Sequence, residues 1–145
     1  IVHLSDVHFG SVRHHRIIED IKDKINSISD DCDLVIISGD LADGSCIVEE
    51  DDFMALKDID IPIIFTSGNH DYYPGLESVH RACRNAGIVV LENDVTTYKN
   101  LNIYGLSFSF GDIFINKEYS KHICVLRYIE FQDQAFLQCA GNRYC

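Results

Sequence analysis

Basic residues are scarce in this chain: Lys and Arg total 12 against 23 Asp and Glu, for a formal net charge of −11. Nucleic-acid backbones are held by clustered Lys and Arg, so this balance argues against a general nucleic-acid surface. Only a short strip such as Arg13 to Arg16 would serve a small contact of that kind. Long apolar runs are missing too. None approaches the ~20 residues of a spanning helix, and runs such as Leu34 to Ile37 have strand length, so the visible chain is expected to be soluble and without a membrane span. Six cysteines (Cys32, Cys46, Cys83, Cys124, Cys139, Cys145) show no Cys-x-x-Cys pair and no regular spacing. That removes a zinc ribbon and a disulfide scaffold, and makes a reducing, cytoplasmic compartment the expected home. There is no initiator Met: the chain opens at Ile1 inside a strand-like run, which leaves an upstream segment open, a membrane anchor included. Neither an internal repeat nor a low-complexity linker interrupts it. With 145 residues and 46% hydrophobic content, it is expected to form a single domain, residues 1–145.

What is present alternates strand-like and helix-like segments. Ile1 to Leu4 reads as a first buried strand. Ile17, Ile18, Ile21, Ile25 and Ile28 then recur at helical spacing, with Glu19, Asp20, Lys22 and Asp23 on the other face. Strand Leu34–Ile37 follows, then a polar-rich helical stretch over about Val48 to Lys57, strand Ile61–Thr66 with Pro62 at its start, and a helix from Leu76 to Ala86 closed by Gly87. Strand Ile88–Leu91 comes next. Beyond it, Val95 to Tyr98, the turn Lys99-Asn100 and Leu101 to Leu106 predict a hairpin that makes the sheet mixed, with further strands at Ile123–Tyr128 and Ala135–Ala140. Periodicity alone thus gives an α/β fold. The acidic runs Asp30-Asp31, Glu49-Glu50-Asp51-Asp52 and Asp58 to Asp60 are expected to be solvated faces.

Polar motifs follow three of the apolar runs: Ser5-Asp6-Val7-His8, Ser38-Gly39-Asp40-Leu41-Ala42-Asp43 and Ser67-Gly68-Asn69-His70-Asp71. Ligands of open α/β sheets bind beyond the carboxyl ends of the strands, so Asp6, His8, Asp40 and Asn69 can converge on one place. Two carboxylates, an imidazole and an amide oxygen suit divalent ions such as Mn, Fe or Zn better than a thiolate site would. A single strand-end Asp or Asn is most simply a turn or helix cap; the ordered set is not. Gly39 and Gly68 allow sharp turns and close backbone approach beside the ligands. His3 is expected to be a packed core histidine. His14, His15, His80 and His122 are expected at the surface or on the substrate side, and Asp43 to hydrogen-bond its own loop.

Asp-x-His, Gly-Asp-x-x-Asp and Gly-Asn-His-Asp, in that order and each after a hydrophobic strand, resemble the calcineurin-like metallophosphoesterase superfamily. Leu4-Ser5-Asp6-Val7-His8-Phe9-Gly10 and Gly68-Asn69-His70-Asp71-Tyr72-Tyr73 are similar to its small, often membrane-associated branch. The resemblance implies a four-layer α-β-β-α sandwich, here truncated at its C-terminal end. It also implies hydrolysis of a phosphomonoester, phosphodiester or pyrophosphate by a metal-bound hydroxide at a dinuclear site. In that pattern Asp6 and His8 hold the first metal, Asp40 bridges, and Asn69 belongs to the second. His70 stabilises transition-state charge or protonates the leaving oxygen, and Asp71 holds the His70 ring in one tautomer. Tyr72 and Tyr73 either line a substrate wall or pack.

The motif-bearing part covers residues 1–106, whereas 107–145 departs from the family pattern. Where the family carries its last three histidines, this chain offers Ile129, Asn142 and Tyr144, of which Asn142 alone has a ligating atom. Two divalent ions are therefore expected if other ligands complete the site, and one if they do not. The alternative reading is a catalytically impaired relative that binds a phosphate ligand or a partner.

Overall fold

The structure is a computed structural model that describes residues 1–11, 16–106 and 108, together with the backbone of 123–127, 130–131 and 134–135. Four parallel strands, β1 (Val2–Leu4), β2 (Val35–Ser38), β3 (Ile63–Thr66) and β4 (Val89–Val90), lie side by side in that order. Every residue of β2 and β3 is buried, which is why both strands read as apolar runs up to their last residue, Ser38 or Thr66, rather than as alternation. Val35, Ile37, Ile63 and Phe65 project to one face. There they pack with Ile18 and Ile25 of α1 (Ile17–Asn26) and with Val79, Ala82 and Cys83 of α2 (Leu76–Asn85). Ile36 and Ile64 project to the other face, where they meet Leu34, Leu91 and Ile103. Burying each such side chain is worth about 1.5–3 kcal/mol, so the two-sided core fixes the register of the central strands.

Ile103 belongs to a second sheet. Its strands are β5 (Asp94–Tyr98), β6 (Leu101–Leu106) and β7 (Ile123–Arg127), with β5 antiparallel and β7 parallel to β6. The two sheets approach closely at Gly105, where an added Cβ would lie 2.8 Å from the Leu91 carbonyl oxygen. Helices, first sheet and second sheet are the α, β and β layers of the expected sandwich; no second helical layer is present among the described residues. A short antiparallel pair, β8 (Glu130–Phe131) and β9 (Gln134–Ala135), completes the described strands.

The expected hairpin is present, but in the second sheet; the first sheet stays wholly parallel rather than becoming mixed. Strand Ile123–Tyr128 is matched by β7, whereas of Ala135–Ala140 only Ala135 lies in a described strand. The helix expected over Val48 to Lys57 does not form. Turns lead into a 3-10 segment at Met54–Asp58, with i→i+3 bonds from Asp52 to Glu49, Met54 to Asp51 and Leu56 to Phe53. Val48, Phe53 and Leu56 are all buried, and their spacing of five and three fits two tight turns better than one helical stripe. The Asp52 carboxylate also accepts the Glu49 N–H at 2.7 Å, a local bond that competes with regular helix. By contrast α2 ends as its sequence predicts. Gly87 takes φ 78°, the Gly87 N–H donates to Arg84 O and the Ile88 N–H to Cys83 O, a Schellman cap. Among the described residues, no helix is long and apolar enough to cross a membrane.

Candidate metal centre

Parallel pairing places Leu4 beside Ile37 and Ser38 beside Thr66, so β1, β2 and β3 end at one level. Past those ends Asp6, His8 and Asp40 all enter the left-handed region, at φ 55°, 51° and 52°. Non-glycine residues are uncommon there, and each costs of order 1–3 kcal/mol unless its surroundings hold it. The holding comes from backbone bonds that zip the first two loops together: Asp6 N–H to Gly39 O, His8 N–H to Asp40 O, Phe9 N–H to Leu41 O, and Asp43 N–H to Phe9 O. As a result one ligand atom each from Asp6, His8 and Asp40 lies within 4.8 Å of the others. Asp6 is exposed and its carboxylate accepts from Ser5 Oγ, whereas Asp40 is buried.

The third loop closes on Asp40 from the side. The His70 N–H donates to Asp40 Oδ1 at 2.9 Å. Gly68 comes so near that an added Cβ would collide with the Asp40 carboxylate and lie 2.6 Å from its backbone nitrogen. Asn69 follows, buried, with an Oδ1 that has no hydrogen-bond partner. Leaving a buried acceptor unsatisfied costs about 1–3 kcal/mol, and an oxygen kept so beside a carboxylate-imidazole cluster suits a cation. The donor set of two carboxylates, one imidazole and one amide oxygen therefore fits a divalent ion of the Mn, Fe or Zn kind.

Asp43 does more than tie its own loop. Its Oδ1 lies 3.3 Å from His8 Nδ1, an ion-pair distance with no formed hydrogen bond, while His8 Nε2 faces Asp6 Oδ1 at 3.9 Å. A carboxylate behind one ring nitrogen leaves the other free as the ligand, the usual support of a metal-binding histidine. The Asp43 carbonyl accepts from His70 Nδ1 at 2.9 Å; a carbonyl can only accept, so the His70 proton sits on Nδ1. His8, Asp43 and His70 also fall within 4.8 Å of one another as a second donor group. These contacts give Asp43 a supporting part in it.

The role expected for Asp71 is not the one it plays. Its carboxylate is wholly buried and accepts the N–H groups of Asp40 (2.9 Å), Ala42 (2.8 Å) and Gly68 (2.8 Å), while the His70 Nδ1 is bound to the Asp43 carbonyl instead. Asp71 therefore fastens the second loop to the third. Burial pushes its carboxyl up, to about 7; the backbone donors of Ala42 and Gly68 pull against this and the Asp40 carboxylate adds to it. Surrounded by donors, its two oxygens act as acceptors, the hydrogen bonding of an ionised carboxylate.

Two histidine expectations are corrected. His3 is exposed, because β1 is an edge strand, and its Nε2 lies 2.6 Å from Ser38 Oγ. His80 is buried, because its position in α2 is four residues after Leu76 and three before Cys83, on the helix's apolar face. Tyr73 is 64% exposed and edge-on to His70 at 5.3 Å between ring centroids, while the Tyr72 hydroxyl donates to Phe108 O. Both tyrosines thus flank the site rather than fill the core. Asn142, Ile129, Tyr144, His14, His15 and His122 lie outside the described residues.

A family model described as calcineurin-like phosphoesterase matches residues 1–138. Among curated proteins, an uncharacterized metallophosphoesterase of Helicobacter pylori strain 26695 is 26% identical over 108 residues, covering 73% of this chain and 29% of the relative. Its counterpart in strain J99 is 25% identical over the same length and shares. The chain thus spans less than a third of the length of these relatives.

Proposed function

The chain belongs to the calcineurin-like phosphoesterase family, and from that premise we propose that it hydrolyses a phosphate ester at two divalent ions, with water as the direct nucleophile. Asp6 and His8 would hold the first ion, Asp40 would be shared, and Asn69 would serve the second through its free Oδ1. Asn142 is the sequence's candidate for a further oxygen ligand. When bound, such ions bind phosphate oxygens and make water a competent nucleophile near neutral pH.

The chain's own residues supply the rest. With the Nδ1 proton committed to the Asp43 carbonyl, His70 presents Nε2 towards a leaving group. In its protonated form that nitrogen can donate to the departing oxygen, and in either form the ring can sit against the charge that develops. Asp43 orients His8 and His70 together, through its carboxylate and its carbonyl. Exposed Tyr73 offers an aromatic wall beside His70 for the ester's organic part. The observation that carries this reading is the convergence of Asp6, His8 and Asp40 in left-handed backbone beside an unsatisfied Asn69 Oδ1.

The test is hydrolysis of chromogenic phosphomonoesters and phosphodiesters with Mn, Fe or Zn added in turn. Turnover should appear with at least one metal and fall by at least 100-fold in Asp40→Asn. Phosphate binding without turnover above the Asp40→Asn background would overturn the enzyme reading in favour of a phosphate-binding relative.

A further inference from the structure

One polar cluster, buried at Ser67 and His80, has no part in the chemistry above. His80 from α2 and Glu92, just beyond β4, meet at Ser67, two residues before Asn69. His80 Nε2 lies 2.8 Å from Ser67 Oγ and 3.4 Å from Glu92 Oε1, and that same Glu92 oxygen accepts the Ser67 N–H at 3.2 Å. The Ser67 carbonyl accepts the Phe108 N–H at 3.1 Å. Every polar group of Ser67 is therefore tied to a different part of the chain. Its side chain is wholly buried, which leaves no room for a role as nucleophile.

The protonation of the cluster follows from its partners. A carboxylate only accepts, so a ring nitrogen that faces Glu92 carries the proton and shares it with Ser67 Oγ. Burial pushes Glu92 up, yet its bonds to His80 and Ser67 outweigh that and hold it below the ordinary glutamate range. Burying the Ser67 and His80 side chains is costly unless both are satisfied, and here they satisfy each other with half-buried Glu92 beside them. The cluster also sits where loop three leaves β3. Beyond Ser67 the next anchor is the Gly68 N–H on Asp71, and between that anchor and the His70 N–H on Asp40 stands Asn69, whose own side-chain oxygen is untethered.

We infer that His80 and Glu92 are positioning residues that clamp Ser67 and so aim the Asn69 amide oxygen at the cation it would bind. The inference rests on Asn69 being a ligand, and its test separates the two claims. Mn2+ binding to the chain is measured by calorimetry for wild type, Asn69→Ala, Ser67→Ala, His80→Ala and His80→Gln, with a thermal melt of each metal-free protein as the folding control. Removing an outer partner of a metal ligand typically costs 10–100-fold in affinity. Ser67→Ala and His80→Ala should therefore each weaken Mn2+ binding by about 10-fold or more. His80→Gln, whose amide nitrogen can replace Nε2 as a donor, should stay within about 3-fold of wild type.

If Asn69→Ala binds Mn2+ as wild type does, the ligand assignment fails. If Asn69→Ala binds weakly while folded Ser67→Ala and His80→Ala bind as wild type does, the clamp fails and the ligand stands. A purely structural role for His80 would lower the melting temperature without touching affinity, and that outcome also overturns the inference. Should His80→Ala not fold, the smaller Ser67→Ala decides.

Discussion

Replacing Gly68 by alanine tests how tightly the third loop is pressed against Asp40. Gly68 does not have a positive φ, so alanine meets no backbone penalty there and the whole effect is steric. The added Cβ would meet the Asp40 carboxylate and sit 2.6 Å from the Asp40 nitrogen, whereas ordinary contact begins at 3.4 Å. One loop must then retreat by about 0.8 Å. The nitrogen cannot swing aside as a side chain would, for its N–H is bound to Asp71 Oδ2 at 2.9 Å and the Asp40 carboxylate is bound to the His70 N–H at 2.9 Å. Overpacking of this kind costs about 1–3 kcal/mol, and the loss of two hydrogen bonds adds about 1 kcal/mol each. The sum, roughly 3–5 kcal/mol, is a large share of the 5–15 kcal/mol typical of a folded domain. Urea denaturation of Gly68→Ala should show that loss, with a melting temperature lower by of order 10 °C and Mn2+ binding weakened because Asp40 has moved. Unchanged stability with unchanged metal affinity would refute the close approach of the two loops.

Asp71→Asn keeps the shape of the side chain but turns one acceptor into a donor facing backbone N–H groups. It should cost about 2–4 kcal/mol in urea denaturation, whereas a residue that merely oriented His70 would lose activity with little change in stability. Glu92 is held below its ordinary value of 4.5, so its ionised form stabilises the fold above that value, and this share is lost as pH falls through the lower, folded value. Melting temperatures of wild type and Glu92→Gln measured across pH 3 to 8 should differ by a constant amount at neutral pH and converge below about 4.5. A gap that widens on acidification would contradict the assignment.

Most of the parallel sheet was legible because Leu34 to Ile37 and Ile63 to Phe65 are short, fully apolar and followed by polar loops, a pattern that buried parallel strands share. The closing of α2 was legible in Gly87. What escaped was set by contacts between distant segments. Asp71 adjoins His70 in sequence, which suggests a partnership, but its oxygens are claimed by backbone of the second loop about 30 residues away. Asp43 likewise touches His8 through a fold-level contact with no local signature. His80 was readable in principle, since it shares the helical face of Leu76, Val79 and Cys83, but a polar side chain on an apolar stripe carries no sequence signal of its partners Ser67 and Glu92. At Val48 to Lys57 apolar residues and charges were present, though not at helical spacing.

The left-handed backbone at positions 6, 8 and 40 sets a quiet conflict between what the main chain prefers and what the site requires. Glycine would sit there without strain but brings no ligand atom, so the ligand role proposed for Asp6, His8 and Asp40 runs against the backbone's own preference. Exposed Asp6 shows the conflict in its purest form, because little packing would be lost with its side chain. Glycine at that position in a related sequence would thus be a legible sign of a protein that has given up its metal and kept its architecture, and a more stable scaffold would be the gain from that surrender.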